Sequence, residues 1–323
     1  MVYTPFSMDI LTAIRSAEDI VVIGHSNPDG DCVFSQLALS RVLTSLGKHV
    51  TLLNEGPFAR DEIARFENMF LTEAPSSLVE RNPLVIVVDC STIDRPGKVI
   101  APFASCRMIV LDHHSSGEPF TDSSLMYIQP LSVSTTLIVD ALREALGVPL
   151  DQTTASYIYK GFVTDTGFFH FISDKVGGET LRRVSHLVDH GVSPYCVYDE
   201  MHDGKSLSYF KGVASLVDRV QSRYDGALLY TWQTDDDGFE GKPADDIYAQ
   251  LLQVEGVRVV LFFKQKEDEV DIGMRSKNGS GIDIGAFASS HGGGGHRYAA
   301  GAKVKGELDD VIRNTIEDLR SVL

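Results

Sequence analysis

DIVVIGHSNPDGD, residues 19–31, is followed along the chain by LVIVVDC at 84–90 and RMIVLDHH at 107–114. Each segment begins as a short apolar run rich in β-branched residues and ends in acidic or imidazole side chains. Near-continuous apolar strands separated by helical crossovers are typical of a parallel sheet that is covered on both faces. A fourth run, HVTLLN at 49–54, has the same character. The first half of the chain is therefore predicted to be an α/β domain with a parallel sheet.

The polar residues that end these strands are the candidate functional residues. In an open parallel sheet, ligands bind at the carboxyl ends of the strands. The residues that follow the three strands are His25, Asp29, Asp31, Asp89, Asp112, His113 and His114. A further acid, Asp165, lies in GFVTDTGFF at the end of a long helical pattern. We expect these side chains to meet at one edge of the sheet.

Such a concentration of acidic side chains indicates metal ions. Carboxylates gathered at one edge would repel one another and resist ionisation unless cations lay among them. Oxygen and imidazole ligands without thiolates favour a first-row divalent ion, most simply Mn²⁺, with Mg²⁺ and Co²⁺ as alternatives. Two such ions about 3.5–4 Å apart, bridged by one carboxylate, are the usual apparatus for in-line displacement at phosphorus. The sequence therefore predicts a two-metal phosphoesterase.

Composition limits the partners. The 323 residues carry a formal net charge of -16, and a protein that grips long nucleic acid normally has a basic surface instead. Four scattered cysteines without CxxC spacing favour neither a zinc ribbon nor a disulfide framework. The start of the chain lacks a secretory pattern, and the longest apolar runs are too short to span a bilayer. We expect a cytoplasmic protein that binds short anions and no membrane.

The second half of the chain has a different pattern. The polar segment SPYCVYDEMHDGKS at 193–206 suits a linker followed by a connecting helix. After it, VRVVLFFKQ and EVDIGMRSK, separated by KEDE, predict a hairpin, and a helix is expected from Glu307. This half is predicted to be a smaller α/β domain with a mixed sheet. The predicted division is a first domain at 1–190, a linker at 191–206 and a second domain at 207–323.

Four segments resemble, in order, the four motifs of the DHH phosphoesterase superfamily: HSNPDGD, VVDCS, LDHHSS and TDTGFF. A fifth segment, GGGGHRYAAG at 292–301, resembles the glycine-rich motif of the DHHA1 domain. The resemblance implies one metal site formed by His25, Asp29 and Asp89, and a second formed by Asp31, Asp89, His113 and Asp165. It further implies that His114 contacts the substrate phosphate and that Asp112 orients a neighbouring histidine. Phe34 stands where the family usually has glycine, which predicts a narrower space near the metals.

The second domain is expected to supply substrate contacts, across a cleft from the metals as in related DHHA1 domains. Four consecutive glycines allow backbone N–H groups to approach an anion closely, and an arginine can pair with phosphate through two hydrogen bonds. The predicted contacts are Arg275, Ser276, Gly293, Gly294, Gly295, His296 and Arg297. A flexible capping loop is the alternative for the glycine run, and a surface salt bridge is the alternative for Arg275.

Within the superfamily, size and appended segments favour the stand-alone NrnA type. This resemblance implies hydrolysis of short oligoribonucleotides (nanoRNA) and of 3′-phosphoadenosine 5′-phosphate (pAp) to AMP. A phosphodiesterase for linear dinucleotides such as pApA, an exopolyphosphatase, and a nucleotide-binding sensor without turnover are the alternatives. The expected partners are short oligoribonucleotides or mononucleotide bisphosphates, without long duplex nucleic acid, and the sequence leaves a homodimer open.

Overall fold

The structure is a computed structural model that describes residues 3–90, 92–114, 119–172, 175–238 and 241–323, apart from the side chain of His296. The chain divides into two compact units, Met1–Asp203 and Gly204–Leu323, which are called the first and the second unit below. Throughout the described ranges, each helix is too short or too polar to cross a bilayer.

The described part of the first unit is built from five strands and eight helices. The strands are β1 (Asp19–Ile23), β2 (His49–Leu53), β3 (Leu84–Val88), β4 (Met108–Asp112) and β5 (Leu125–Ile128). The helices are α1 (Met8–Ser16), α2 (Gly30–Ser45), α3 (Asp61–Ala64), α4 (Ser76–Val79), α5 (Thr135–Leu146), α6 (Gln152–Asp165), α7 (Gly177–Asp189) and α8 (Pro194–His202). The strands pair in parallel in the order β2-β1-β3-β4-β5.

The sheet of the first unit is covered on both faces, which explains its uninterrupted apolar strands. All five residues of β3 are buried, and neighbouring residues of that strand point to opposite faces. Ile86 packs in a core that includes residues of α1, α2, α5 and α6. Val85 and Val87 pack in a second core on the other face. The prediction of a doubly covered parallel sheet is confirmed.

The second unit contains a six-stranded mixed sheet in the residues that the structure describes. Its strands are β6 (Gln221–Arg223), β7 (Leu228–Gln233), β8 (Val259–Lys266), β9 (Glu269–Ser276), β10 (Gly294–His296) and β11 (Ala299–Lys305). Its helices are α9 (Leu207–Asp218), α10 (Ala244–Leu251), α11 (Ile284–Ser290) and α12 (Leu308–Leu319). The strand order is β10-β11-β9-β8-β7-β6, and only the β7–β8 pairing is parallel among these.

The hairpin predicted in the second half of the chain is formed by β8 and β9. The two strands pair antiparallel from Val259 with Ser276 to Lys266 with Glu269. Alternate residues of β9 are buried, as expected for a strand with one face on a core. The predicted α/β class, with a parallel sheet followed by a mixed sheet, is therefore confirmed.

Candidate metal centre

The first motif places its acids where β1 turns into α2. Asp29 is the N-cap of α2, and its carboxylate accepts a backbone N–H of the first helical turn. Gly30 lies against the end of α6: a Cβ at this glycine would be 2.4–2.7 Å from side-chain atoms of Thr164. This close approach brings Asp31, in the first turn of α2, near Asp165, the last residue of α6.

Asp89 lies between two histidines from different motifs. Its Oδ2 is 3.5 Å from Nε2 of His25, and its Oδ1 is 3.6 Å from Nε2 of His113. The residue directly follows β3, is 2% exposed and has a backbone φ of 60°. A non-glycine residue in this left-handed region carries strain, which is common at functional sites. The strained turn directs the two oxygens of one carboxylate toward two different imidazoles.

Hydrogen bonds fix the ring orientation of both histidines. Nδ1 of His25 lies 2.9 Å from the carbonyl oxygen of Ser26, and Nδ1 of His113 lies 3.4 Å from that of Ser132. A carbonyl can only accept, so each Nδ1 carries the proton and donates it. When the imidazole is neutral, this leaves the lone pair on Nε2, as a metal-ligating imidazole requires. Nε2 of His25 is buried and makes no hydrogen bond to any described residue.

The remaining acids complete the cluster. Nε2 of His113 lies 3.4 Å from an oxygen of Asp165 and 3.9 Å from an oxygen of Asp31. Nε2 of His25 lies 3.7 Å from an oxygen of Asp29. The structure therefore brings together all six residues predicted as metal ligands, although their sequence positions extend from 25 to 165.

The spacing of these atoms fits divalent ions. Two nitrogen or oxygen ligands that are each about 2.0–2.2 Å from one ion lie about 3–3.5 Å apart. The observed separations of 3.4–3.9 Å are close to that range. Cys32 also lies near His25 and Asp89, but burial raises the pKa of its thiol and opposes the thiolate that a metal would need.

The raised pKa values of two acids in the cluster also indicate metal ions. Burial, together with the charges of Asp89 and Asp165, raises the pKa of Asp31 well above its ordinary range. Burial also raises the pKa of Asp165 to about 7, an effect that His113 opposes and Asp89 strengthens. These carboxylates would retain protons unless positive charge were placed among them, and divalent ions supply that charge. The residues present fit two metal ions.

Two threonines that sequence reasoning missed hold this cluster in place. Oδ2 of Asp31 accepts the backbone N–H of Thr135 (2.6 Å), and Oδ1 accepts the backbone N–H and the hydroxyl of Thr136 (3.0 Å each). Both threonines belong to the first turn of α5, which Ser134 caps. The run of three hydroxyl residues at a helix start was the available signal, since exposed N–H groups at such a position attract carboxylates.

Asp112 holds the third histidine of the site. Its Oδ1 lies 2.7 Å from Nδ1 of His114 and accepts the backbone N–H of His113 at 2.8 Å. The side chain of Asp112 is fully buried, whereas His114 is partly exposed. Asp112 is therefore placed to orient His114, the arrangement that the family resemblance implies. Phe34, by contrast, is fully buried, and its ring packs against Phe66 and Tyr157 within the core.

The predicted substrate contacts belong to the second unit. The guanidinium of Arg275 lies over the ring of Tyr248 at 4.4 Å and is 3.7 Å from a carboxylate oxygen of Asp245. Ser276 is buried, and its hydroxyl lies 3.1 Å from the backbone carbonyl of Arg297. Ser276 therefore ties β9 to the segment that carries Arg297, and the side chain of Arg297 itself is exposed.

The glycine run has a packing role that the sequence did not reveal. A Cβ at Gly293 would lie 2.1 Å from the carbonyl oxygen of Gly301, and one at Gly295 would lie 2.5 Å from that of Ala299. These two glycines permit the close approach of β10 and β11, whereas Gly294 has open space around it. The backbone of His296 ends β10, and its side chain lies outside the described part of the structure.

The two units match two successive family profiles. Residues 19–162 match the DHH family, N-terminal domain, and residues 220–322 match the DHHA1 domain. The chain belongs to the DHH/DHHA1 phosphoesterase family. The candidate metal centre lies within and just after the DHH match.

Three curated relatives match over most of this DHH/DHHA1 chain. The bifunctional oligoribonuclease and PAP phosphatase NrnA of Thermus thermophilus is 29% identical over 98% of this chain and 93% of its own length. The protein of the same name from Bacillus subtilis is 25% identical over 92% of both. The cyclic-di-AMP phosphodiesterase GdpP of Geobacillus thermodenitrificans is 25% identical over 94% of this chain but only 48% of its own length.

Two solved structures share the fold of this DHH/DHHA1 chain. An exopolyphosphatase-related protein from Bacteroides fragilis superposes with a TM-score of 0.88 and 21% identity, covering 97% of this chain and 95% of its own. RecJ in complex with Mn²⁺ from Thermus thermophilus superposes with a TM-score of 0.54 and 16% identity, covering 99% of this chain and 56% of its own.

Proposed function

We propose that the chain is a two-metal phosphoesterase that hydrolyses short oligoribonucleotides, pAp, or both, and releases nucleoside monophosphates. The observation that carries the proposal is the position of Asp89, whose two oxygens lie toward two different histidines. The names of the Thermus and Bacillus relatives support the substrate class. A net charge of -16 agrees with a short substrate that is bound locally.

Each motif residue receives a role in this proposal. His25, Asp29 and Asp89 would hold one ion, and Asp31, Asp89, His113 and Asp165 would hold the other. When bound, the two ions would neutralise charge on the phosphate and activate a water molecule for in-line attack. The donor set favours Mn²⁺, as does the Mn²⁺ complex of the structurally similar RecJ.

His114 is proposed to act on the substrate itself. Because Asp112 accepts from Nδ1 of His114, the lone pair of that ring lies on Nε2 when the imidazole is neutral. In its protonated form the same nitrogen can donate to a phosphate oxygen or to the departing ester oxygen. Asp112 fixes the direction of the ring through this hydrogen bond, so we assign Asp112 as a positioning residue.

A phosphodiesterase for linear dinucleotides such as pApA is the second candidate. The similarity to the cyclic-di-AMP phosphodiesterase GdpP favours it, since that protein acts on a dinucleotide. Both candidates use the same metal centre and differ in the substrate that reaches it. Turnover of pAp, pApA and a five-residue oligoribonucleotide with Mn²⁺ ranks them directly.

The decisive variant in that assay is Asp89→Ala. It should abolish turnover of every substrate, because the ligand shared by both ions is lost; residual activity above about a tenth of wild type would contradict the assignment. Asp94→Ala, which removes an exposed acid five residues further on, is the matched control and should leave turnover unchanged. Product-free binding by the wild-type chain at saturating enzyme would favour the sensor alternative.

The second-unit contacts need a separate experiment. Arg275→Gln should raise KM for the oligoribonucleotide and leave kcat nearly unchanged, since the proposed role of this side chain is phosphate binding. Arg223→Gln is the matched control, because Arg223 also lies over a tyrosine ring, Tyr230, in the same unit. An unchanged KM for Arg275→Gln would remove this residue from the site.

A further inference from the structure

A pocket of about 270 Å³ opens beside the candidate metal centre. Two of the predicted metal ligands, His113 and Asp165, form part of its wall. Other parts of the wall are apolar and include Leu131, Val133 and Phe171. We call this cavity the Phe171 pocket. It places an apolar surface next to a cluster of charged side chains, all within the first unit.

The apolar side chains of the Phe171 pocket are unusually exposed. Phe171 is 70% exposed and Leu131 is 53% exposed. A single exposed apolar residue needs no explanation, but two that line one pocket beside a polar site are typical of a ligand-binding surface.

A strained turn fixes the position of Phe171. Gly167, Phe168 and Phe169 have successive φ values of 53°, 50° and 75°, so three residues in a row lie in the left-handed region. For bulky aromatic residues this conformation is a genuine outlier, and such outliers cluster at ligand-binding sites. The backbone N–H of Phe171 closes the turn by donating to the carbonyl of Thr166 at 2.9 Å.

Gly167 shows how closely the ring of Phe171 is held. A Cβ at this glycine would lie 2.7 Å from a ring carbon of Phe171, so a side chain there would displace the ring. The glycine therefore serves two purposes: it adopts a positive φ and leaves room for the ring. The fold specifies an exposed aromatic ring at this point six residues after Asp165.

The other side of the pocket is fixed to the metal centre. The carbonyl of Ser132 lies 3.4 Å from Nδ1 of His113, and the hydroxyl of Ser132 lies 2.8 Å from the carbonyl of Ser134. The flanking residues Leu131 and Val133 are thereby held at a constant distance from the candidate metal ligands. A ligand in the pocket would have a defined position relative to the reacting phosphate.

We propose that the Phe171 pocket binds the nucleobase of the nucleotide whose phosphate lies at the metal centre, with the base stacked on Phe171 and packed against Leu131. This inference rests on the proposed function and makes it more specific, since it requires a base on the substrate and disfavours inorganic polyphosphate. The volume lies just below the range of about 300–1,000 Å³ for drug-sized ligands and suits one nucleoside. Stacking on an aromatic ring accepts every base, as hydrolysis of mixed oligoribonucleotides requires.

The test compares the binding of two small ligands by calorimetry in the presence of Mn²⁺. AMP carries a base, and ribose 5-phosphate carries the same sugar phosphate without it. The wild-type chain should bind AMP about tenfold to a hundredfold more tightly than ribose 5-phosphate, which is the usual effect of one stacked base. Phe171→Ala should remove most of that preference without changing the affinity for ribose 5-phosphate, and Phe171→Trp should restore it.

Tyr195→Ala is the matched control, because Tyr195 is also an exposed aromatic residue of the first unit, at 74% exposure, and lies in α8. It should keep the preference for AMP. Equal binding of the two ligands by the wild-type chain, or an undiminished preference in Phe171→Ala, would overturn the pocket assignment. Turnover of pAp, pApA and the five-residue oligoribonucleotide is measured in parallel: a chain that prefers AMP through Phe171 but hydrolyses none of the three would refute the proposed function alone.

Discussion

Thr135 and Asp89 are 46 residues apart in sequence, yet the hydroxyl of Thr135 donates to Oδ1 of Asp89 across 3.0 Å. The same carboxylate oxygen lies 3.6 Å from Nε2 of His113. The threonine therefore uses one lone pair of Oδ1 and constrains the direction of the other. Such hydrogen bonds around a metal ligand orient it and tune its affinity.

Replacing Thr135 with valine removes this hydrogen bond while preserving the shape of the side chain. We expect Mn²⁺ affinity and kcat/KM to fall about 10- to 100-fold, the usual cost of losing a hydrogen bond to a metal ligand. Thr135→Ser retains the hydroxyl and should remain within a few-fold of wild type. Calorimetric titration with Mn²⁺ measures the effect, and equal affinities for the valine and serine variants would contradict it.

Asp112→Asn should separate the orientation of His114 from metal binding. Asparagine can still accept from Nδ1 of His114, but it lacks the negative charge that makes the hydrogen bond of a carboxylate stronger. We expect kcat to fall about tenfold or more, as for the loss of general acid catalysis, with KM and Mn²⁺ affinity little changed. A fall in Mn²⁺ affinity without a change in kcat would assign Asp112 to the metal site instead.

Gly161→Ala should lower the free energy of unfolding, although helix propensity alone predicts that alanine would raise it. Alanine in a helix interior is normally more stable than glycine by about 0.5–1 kcal/mol. At Gly161, however, a Cβ would lie 2.2 Å from Cγ2 of Thr136 and 3.0 Å from Oδ1 of Asp31. We expect Gly161→Ala to lose about 1–3 kcal/mol of unfolding free energy because of this overpacking.

The matched control for that substitution is Gly178→Ala in α7, where an added Cβ would lie 3.7 Å from the guanidinium of Arg182, an ordinary van der Waals distance. This variant should be neutral or slightly more stable than wild type in urea denaturation. A Gly161→Ala variant as stable as Gly178→Ala would contradict the close packing of α6 against α5 and Asp31.

The sequence predicted the strands that can be recognised from a short run of residues. The runs at β1, β3 and β4 are apolar and β-branched because both faces of the sheet are buried, and the ligands follow directly from the strand ends. The strand β5 was not predicted, because its four residues LMYI lie at the edge of the sheet and are mostly half-buried. Its sequence has no long apolar run that would distinguish it from a loop.

Long-range contacts in the site were beyond sequence reasoning. The hydrogen bonds of Thr135 and Thr136 to acids more than 40 residues away depend on how α5 packs against α2, and no local pattern encodes that. The left-handed backbone of Asp89 and of Phe169 is likewise unexpected for non-glycine residues. The glycine run was predicted as an anion contact, which stays a prediction; the close strand pairing at Gly293 and Gly295 is visible only in three dimensions.

The pair formed by His291 and Asp318 in the second unit predicts a dependence of stability on pH. Burial is the largest single effect and would lower the pKa of His291. The hydrogen bond of Nε2 to Asp318 at 3.0 Å, the hydrogen bond of Nδ1 to the carbonyl of Phe287 and the charge of Asp318 together outweigh burial and raise the pKa above the ordinary 6.5. A raised pKa means that the folded chain binds the proton more tightly than the unfolded chain. The contribution of the pair to the free energy of unfolding is therefore complete below pH 6.5 and is lost as pH rises through the raised pKa of His291.

Asp318→Asn removes the charge and should remove most of this contribution, since the hydrogen bond of His291 to the carbonyl of Phe287 remains. Urea denaturation measures the free energy of unfolding at pH 5.5 and pH 8.5. The wild type should exceed the variant by up to about 1 kcal/mol at pH 5.5, a small value because the pair is partly exposed, and by almost nothing at pH 8.5. An advantage that is equal at both values, or that grows with pH, would contradict the assigned ion pair.

The most direct measurement of the central claim is an anomalous difference map at the manganese edge from crystals grown with Mn²⁺. We expect two peaks, about 3.5–4 Å apart, on either side of the Asp89 carboxylate. One peak should lie beside His25 and Asp29, and the other beside His113 and Asp165. A single peak, or two peaks that do not share Asp89, would contradict the two-metal assignment.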